Sequence, residues 1–242
     1  MRLDKAVALA GYSRSEARAM IARGRVRVRG EIARDAGLGV QIADVSLDGA
    51  PLGAEAELYL MLNKPAGVIT ATEDPRLPTV VSLLPEKYRR RKIGPVGRLD
   101  RDVTGLVLLT TDGQLAHRLI SPRWKAEKCY RARCEGALGE ADARAFAAGI
   151  PLGDFTARPA ELRILRSGAE SVAEVVLTEG KFHQVKRMFA AVGHPLIALE
   201  RLRIGCVQLD PALASGEFRP LTAEEIAGLR RVTEMDGDLS EA

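Results

Sequence analysis

The run Gly94-Pro95-Val96-Gly97-Arg98-Leu99-Asp100-Arg101-Asp102-Val103-Thr104-Gly105-Leu106, continuing through Val107-Leu108-Leu109-Thr110-Thr111-Asp112-Gly113, constrains this chain more than any other stretch. Its second half is a β-branched and leucine run that reads as a buried strand, which commits the chain to a sheet with a core packed on it. Its first half is a turn that carries arginines and places Asp100 directly ahead of that strand. An acid at the edge of a core strand is held rigidly, and neighbouring arginines favour its charged form. Such a carboxylate suits attack on a substrate, or a charged role beside a polyanion. The Arg-x-Asp triplet alone also describes a surface ion pair of Asp100 with Arg98 or Arg101, which is common.

A chain of 242 residues has room for one large domain and one small one. Hydrophobic residues make up 46% and charged residues 28%, the balance of an ordinary globular protein rather than a disordered one. No apolar run is long enough to span a bilayer, and the start Met1-Arg2-Leu3-Asp4-Lys5 lacks the apolar core of a signal peptide, so a cytoplasmic protein is expected. Cys129, Cys134 and Cys206 have no zinc-ligand spacing and fit free thiols in a reducing compartment.

The net charge of +4 is unevenly placed. Residues 1–34 hold nine Lys/Arg against three acids, a local net of +6, while the remainder sums to −2. Positive charge gathered in one small region is the footprint of a nucleic-acid contact; a solvated charged face is the plainer alternative.

That region reads as a compact α/β unit. Leu3, Val7 and Ala10 recur at helical spacing and Gly11 ends the helix. Ser13 and Glu16 form a capping-box pattern that opens a second helix over 14–23, with Gly24 as its stop. Arg25-Val26-Arg27-Val28-Arg29 alternates strictly, so a strand would turn its valines one way and its arginines the other. Those arginines, with Arg14 and Arg18 on the helix, would make one basic surface. Residues 1–50 are therefore the first domain, the turn-rich 51–57 a linker, 58–232 the second domain and 233–242 a flexible tail, acidic and small from Glu234 on. In the second domain, strand-like runs at 58–62, 106–110, 130–134, 174–177 and 207–209 mix with helical stretches at 114–120, 140–148 and 185–192. Without regular βαβ alternation this indicates an α+β fold: a small α/β domain followed by a mixed, largely antiparallel sheet.

The segment Gly97-Arg98-Leu99-Asp100, with Thr104-Gly105-Leu106 and the leucine run after it, resembles the active-site signature of the pseudouridine synthases, and more narrowly the RsuA-type branch that modifies ribosomal RNA. Arg2-Leu3-Asp4-Lys5, Ser13-Arg14-Ser15-Glu16-Ala17-Arg18 and residues 21–30 resemble the S-four-like RNA-binding module. The likeness runs from Arg2 to about Glu224, including the ending Gly216-Glu217-Phe218-Arg219-Pro220-Leu221-Thr222.

The reaction this resemblance implies breaks a glycosidic bond, turns the base and rejoins it through carbon. It calls for no cofactor, redox partner or group donor, but for a carboxylate, a dry pocket and an unstacked base. Asp100 is the implied catalytic residue, with attack on the base, attack on the sugar and removal of a sugar proton as its open roles. Arg98 is implied to fill the space left by the flipped nucleotide or to contact its backbone. Tyr130, in Glu127-Lys128-Cys129-Tyr130-Arg131-Ala132, matches the tyrosine that packs on the target base, and a half-buried strand tyrosine is the alternative. In Glu179-Gly180-Lys181-Phe182-His183-Gln184-Val185-Lys186-Arg187-Met188-Phe189 the family's basic residue against the catalytic Asp corresponds to Lys186, with His183 read as a hydrogen-bonded structural residue.

Candidate RNA contacts are Arg2, Lys5, Arg14, Arg18, Arg25, Arg27 and Arg29, then Lys64 in Asn63-Lys64-Pro65-Ala66-Gly67-Val68, and Arg89, Arg90 and Arg91 in the basic run just before the signature. No metal site is expected: Asp102 near Asp100 has no further hard ligands at a recognisable spacing.

The expected function is isomerisation of one uridine in 16S (small-subunit) ribosomal RNA, within an assembling subunit and by a monomer. The small-subunit choice rests on residues 68–78 and 112–122 and the lack of a long basic tail. The same reaction on a 23S uridine, a non-catalytic ribosome-assembly protein, and a metal-dependent phosphodiesterase using Asp100 and Asp102 are the alternatives. An intact Asp100, Tyr130 and Lys186 set separates the enzyme from the binder.

Overall fold

Leu3, Ala6 and Val7 bury one face of helix α1 (Leu3–Ala8) against α2 (Arg14–Ala22). The Ser13 hydroxyl accepts the Glu16 amide at 3.2 Å and the Glu16 carboxylate accepts the Ser13 amide at 2.7 Å, so the expected capping box starts α2. In the computed structural model, which describes residues 1–52 and 57–235, these helices open the first of two units, Met1–Leu58 with Leu84–Ile93. A four-stranded antiparallel sheet completes it: β1 (Val26–Val28), β2 (Glu31–Ile32), β3 (Val45–Leu47) and β4 (Ala50–Pro51), in the order β2-β1-β3-β4. Its core joins Leu3, Val7, Ala17, Ile21, Val26 and Val45.

The arginine stripe is shorter than expected. Arg29 has φ 52° and lies with Gly30 in the turn between β1 and β2, so the alternation ends at Val28. Nor does the expected linker begin at 51. Asp48 and Gly49, both with positive φ, form the hairpin turn into β4, and Leu52 is buried in the same core. Residues 53–56 of that linker lie outside the described residues. The basic run before the signature forms a helical turn, α3 (Glu86–Arg89), and groups with this first unit.

The second unit is Tyr59–Leu83 with Gly94–Ala242. Its elements are β5 (Tyr59–Lys64), β6 (Gly94–Pro95), β7 (Thr104–Thr110), α4 (Gly113–Ile120), β8 (Lys128–Glu135), α5 (Glu140–Ala148), β9 (Glu161–Arg166), β10 (Glu170–Leu177), α6 (Gln184–Ala191), β11 (Leu196–Ile204), β12 (Val207–Gln208), β13 (Phe218–Pro220) and α7 (Ala223–Val232). They build one sheet in the order β13-β5-β7-β11-β8-β10-β9, with β6 on β7 and β12 on β11. Every pairing is antiparallel except β7 with β11. Met61, Leu106, Leu108, Leu115, Leu119 and Leu229 form its core with residues of α4 and α7.

Two features position the site. Gly105, at φ +96°, lets β7 lie against β11; a Cβ there would stand 2.3 Å from the Arg201 carbonyl oxygen. The register then pairs Lys64 of β5 with Gly105 on one side, and Arg201 of β11 with Gly105 and Tyr130 on the other. The expected fraying from residue 233 does not hold at its start. Thr233 is buried, Arg118 donates to the Thr233 and Glu234 carbonyls at 3.0 and 3.1 Å, and Met235 packs on the core. Residues 236–242 lie outside the described residues. No described helix is long and apolar enough to cross a membrane.

Candidate active site

Asp100 sits in the turn ahead of β7, and the backbone on both sides of it is pinned. The Thr70 hydroxyl donates to the Leu99 carbonyl at 2.8 Å and accepts the Leu99 amide at 3.0 Å. Beyond Asp100, the Lys64 ammonium donates to the carbonyls of Val103, Pro65 and Arg101 at 2.7, 2.9 and 3.2 Å. Lys64 is fully buried, so it is not an RNA contact as the sequence suggested; its three protons are spent on the loop that carries the acid. Burial lowers its pKa from 10.5 to about 8, against the pull of Asp102 and Asp100.

The partners of Asp100 are neither Arg98 nor Arg101. Lys186, from the first turns of α6, places its Nζ 3.0 Å from Asp100 Oδ2, while its hydrogen bonds to both Asp102 oxygens are 2.7 and 2.9 Å. One ammonium therefore serves two carboxylates. Burial works to lower the Lys186 pKa, but the hydrogen bonds and charges of Asp102 and Asp100 outweigh it and raise it. The same hydrogen bond holds the Asp102 carboxyl below the ordinary range. On the other oxygen, His183 Nε2 lies 3.4 Å from Asp100 Oδ1. His183, read from sequence as structural, is thus at the site: it precedes α6 with φ +51°, half exposed, its ring on Asp100.

Asp100 opens on a cleft of about 420 Å³ that also takes in Arg98, Tyr130, His183 and Arg201. Tyr130 is largely buried at its floor, and Arg201 stands with its guanidinium carbon 6.0 Å from the Tyr130 ring. Arg98 is exposed and has no hydrogen-bond or ion-pair partner among the described residues. Thus Asp100, Lys186, Tyr130 and Arg98 converge. A larger concavity of about 600 Å³ lies among strands β8 to β11, where Glu174 is shared by Arg131 and Arg163 at 3.2 and 3.0 Å.

Sequence reasoning missed Thr70, His183 and Arg201. Arg201 is buried, donates from Nε to the Leu106 carbonyl at 2.8 Å, and leaves Nη2 without a hydrogen-bond partner among the described residues. It lies on β11, a strand whose Glu200-Arg201-Leu202-Arg203 hides its pattern.

The basic residues of the small unit divide into two sets. Arg2 and Arg18 both bind the buried Asp4, Arg25 holds Asp48, and Arg29 holds Asp44. Lys5, Arg14 and Arg27 are exposed with no carboxylate partner among the described residues. In the Leu84–Ile93 segment Arg90 pairs with Glu86, and Arg89 is exposed.

The model of the RNA pseudouridylate synthase family matches residues 58–191, and that of the S4 domain matches residues 1–46. The chain is 45% identical over 235 residues to the ribosomal small subunit pseudouridine synthase A of Escherichia coli (strain K12), covering 95% of this chain and 100% of that protein. It is 43% identical to the uncharacterized RNA pseudouridine synthase YtzG of Bacillus subtilis (strain 168), covering 93% of this chain and 97% of that one. A crystal structure of a pseudouridylate synthase superposes with a TM-score of 0.68 at 38% identity, over 95% of this chain and 99% of that chain. A pinned aspartate facing a tyrosine-floored cleft, in a chain alike along its length to these proteins, belongs to the RNA pseudouridine synthases, with an S4 domain at its N-terminal end.

Proposed function

We propose that this protein isomerises one uridine of small-subunit ribosomal RNA, with Asp100 as the reacting carboxylate. The observation that carries this reading is the Lys186 to Asp100 pair at 3.0 Å, set on a pinned turn at the mouth of the cleft. In the reaction the N1–C1′ bond breaks and a C5–C1′ bond forms; N1 gains a proton and the C5 hydrogen is released to solvent. Lys186 orients Asp100 throughout. Tyr130 offers its face to the uracil, and Arg98, without a protein partner among the described residues, occupies the space the nucleotide leaves or grips its phosphate. Lys5, Arg14 and Arg27, which have no carboxylate partner among the described residues, are the cations by which the S4 unit docks on RNA phosphates.

The similarity to a synthase named for the small ribosomal subunit supports that substrate. The protein acts as a monomer in the cytoplasm, on RNA within an assembling subunit. The test is tritium release from small-subunit ribosomal RNA labelled at uridine C5. Wild type should release the label of one uridine per RNA and Asp100→Asn none. Release by Asp100→Asn at the wild-type rate would overturn the assignment.

A further inference from the structure

The cleft has a wall that the uridine reading leaves unused. Phe182 is 76% exposed and Ile120 is 50% exposed, and both line the cleft that holds Asp100 and Tyr130. The chain has only five phenylalanines, and this one is kept out of the core. It is not on a loose loop. The buried Gln184 donates to Glu179 at 2.6 Å and accepts the Lys181 amide at 2.9 Å, which closes the loop from 179 to 184 beneath it. Its ring stacks on His183, with centroids 3.7 Å apart and planes 19° apart. A rigidly presented aromatic face beside a reactive carboxylate is a built surface.

We propose that Phe182 is a stacking platform for the nucleobase next to the target uridine, with Ile120 as the facing apolar wall. This rests on the reading of the cleft as the uridine site and adds a second base to it. Tyr130 lies at the floor and serves the flipped base, whereas Phe182 stands at the rim, where a neighbour would lie. Flipping a nucleotide also strips its neighbours of a stacking partner, and an aromatic ring restores one. The exposed cations of the rim, Arg98 and Lys181, suit a ligand with phosphates between its bases rather than an apolar peptide. Since Phe182 stacks on His183, and His183 touches Asp100, a base on Phe182 also fixes the ring beside the acid. Phe182 is therefore a positioning and specificity residue.

The test measures RNA affinity in the inactive Asp100→Asn background, with and without Phe182→Ala, Phe182→Trp or Phe182→Tyr. The first probe is a short ribosomal RNA fragment around the converted uridine, intact or with the base removed on one side or the other. Phe182→Ala should weaken binding to the intact fragment by roughly 10-fold to 100-fold, while Trp and Tyr bind as Phe does. One of the two abasic fragments should bind equally well whether the protein keeps Phe182 or carries Phe182→Ala. Oligouridylate, which needs no known target, should show the same order of variants. Unchanged affinity of Phe182→Ala, or a deficit that persists on both abasic fragments, would overturn the proposal. Wild-type tritium release from the same fragment, read in parallel, reports on the reaction itself, so failure of stacking and failure of isomerisation are told apart.

Discussion

Asp4 in the small unit and Asp100 in the large one each have two basic side chains at their oxygens, to opposite ends. The Asp4 side chain is 0% exposed; Arg2 and Arg18 reach it from outside at 3.2 Å and take both of its oxygens. The Asp100 side chain remains 29% exposed, with Lys186 on one oxygen and His183 on the other. In the small unit the pair is consumed in tying the chain start to α2. In the large unit the pair orients a carboxylate and leaves it facing a cleft. The same contrast divides the arginines of the small unit: one held by a protein carboxylate is scaffold, and one without such a partner is left for RNA.

The largest effect that could break this contrast is at Asp100. Asp100→Asn should lower kcat by about 10³-fold or more while changing RNA affinity little, since a reacting group is lost without a phosphate contact. Single-turnover kinetics and filter binding on the same RNA would show it. Lys186→Met should cost roughly 10²-fold in kcat and Lys186→Arg much less, because the ammonium's task is to place Asp100. Equal losses in the two variants would mean that Lys186 does something other than hold charge near the acid.

Lys64 sharpens the division between scaffold and contact. Lys64→Met removes the ammonium donor from the Pro65, Arg101 and Val103 carbonyls, which should lower stability by about 1–3 kcal/mol and slow turnover, with the salt dependence of RNA binding unchanged. A salt slope reduced by roughly 0.7 to 0.9 would make it a phosphate contact instead. The pH dependence has a defined sign. The folded Lys64 pKa of about 8 lies below the ordinary 10.5, so between these values the unfolded chain binds more protons. Stability therefore gains a contribution as pH rises from 8, and urea unfolding of Lys64→Met should lack it.

The smallest effects lie in the small unit. Arg14→Ala and Arg27→Ala should each flatten the salt slope by roughly 0.7 to 0.9 without changing Tm, and Arg18→Ala should lower Tm with less effect on the slope. Point substitutions are the cleaner probe here. Removing residues 1–50 would also strip Leu84–Ile93 of the unit it groups with, where the Arg90 carbonyl lies against Gly11.

Features written in local chemistry were legible in the sequence. The Ser13 to Glu16 box, the leucine run of β7 and the helix α5 follow from patterns a few residues long. So was the meeting of Asp100 with Lys186, though only through resemblance, since nothing local links residues that far apart. What stayed hidden depends on tertiary burial. A lysine after a strand reads as a surface cation because lysines are almost never fully buried, yet Lys64 is. Strand β11 is masked by arginines and a glutamate, whose places are set by its neighbours β7 and β8. Helix α7 was open to a closer reading: Thr222 and Glu225 repeat the capping-box pattern, and the structure forms it.

The central claim, that Asp100 makes this protein a modifying enzyme of small-subunit ribosomal RNA, is tested most directly by a pseudouridine map of ribosomal RNA from cells lacking it. The map is repeated after return of wild type or of Asp100→Asn. One small-subunit site should disappear, and only wild type should restore it. A map unchanged by the loss, or a site restored by Asp100→Asn, would contradict the account.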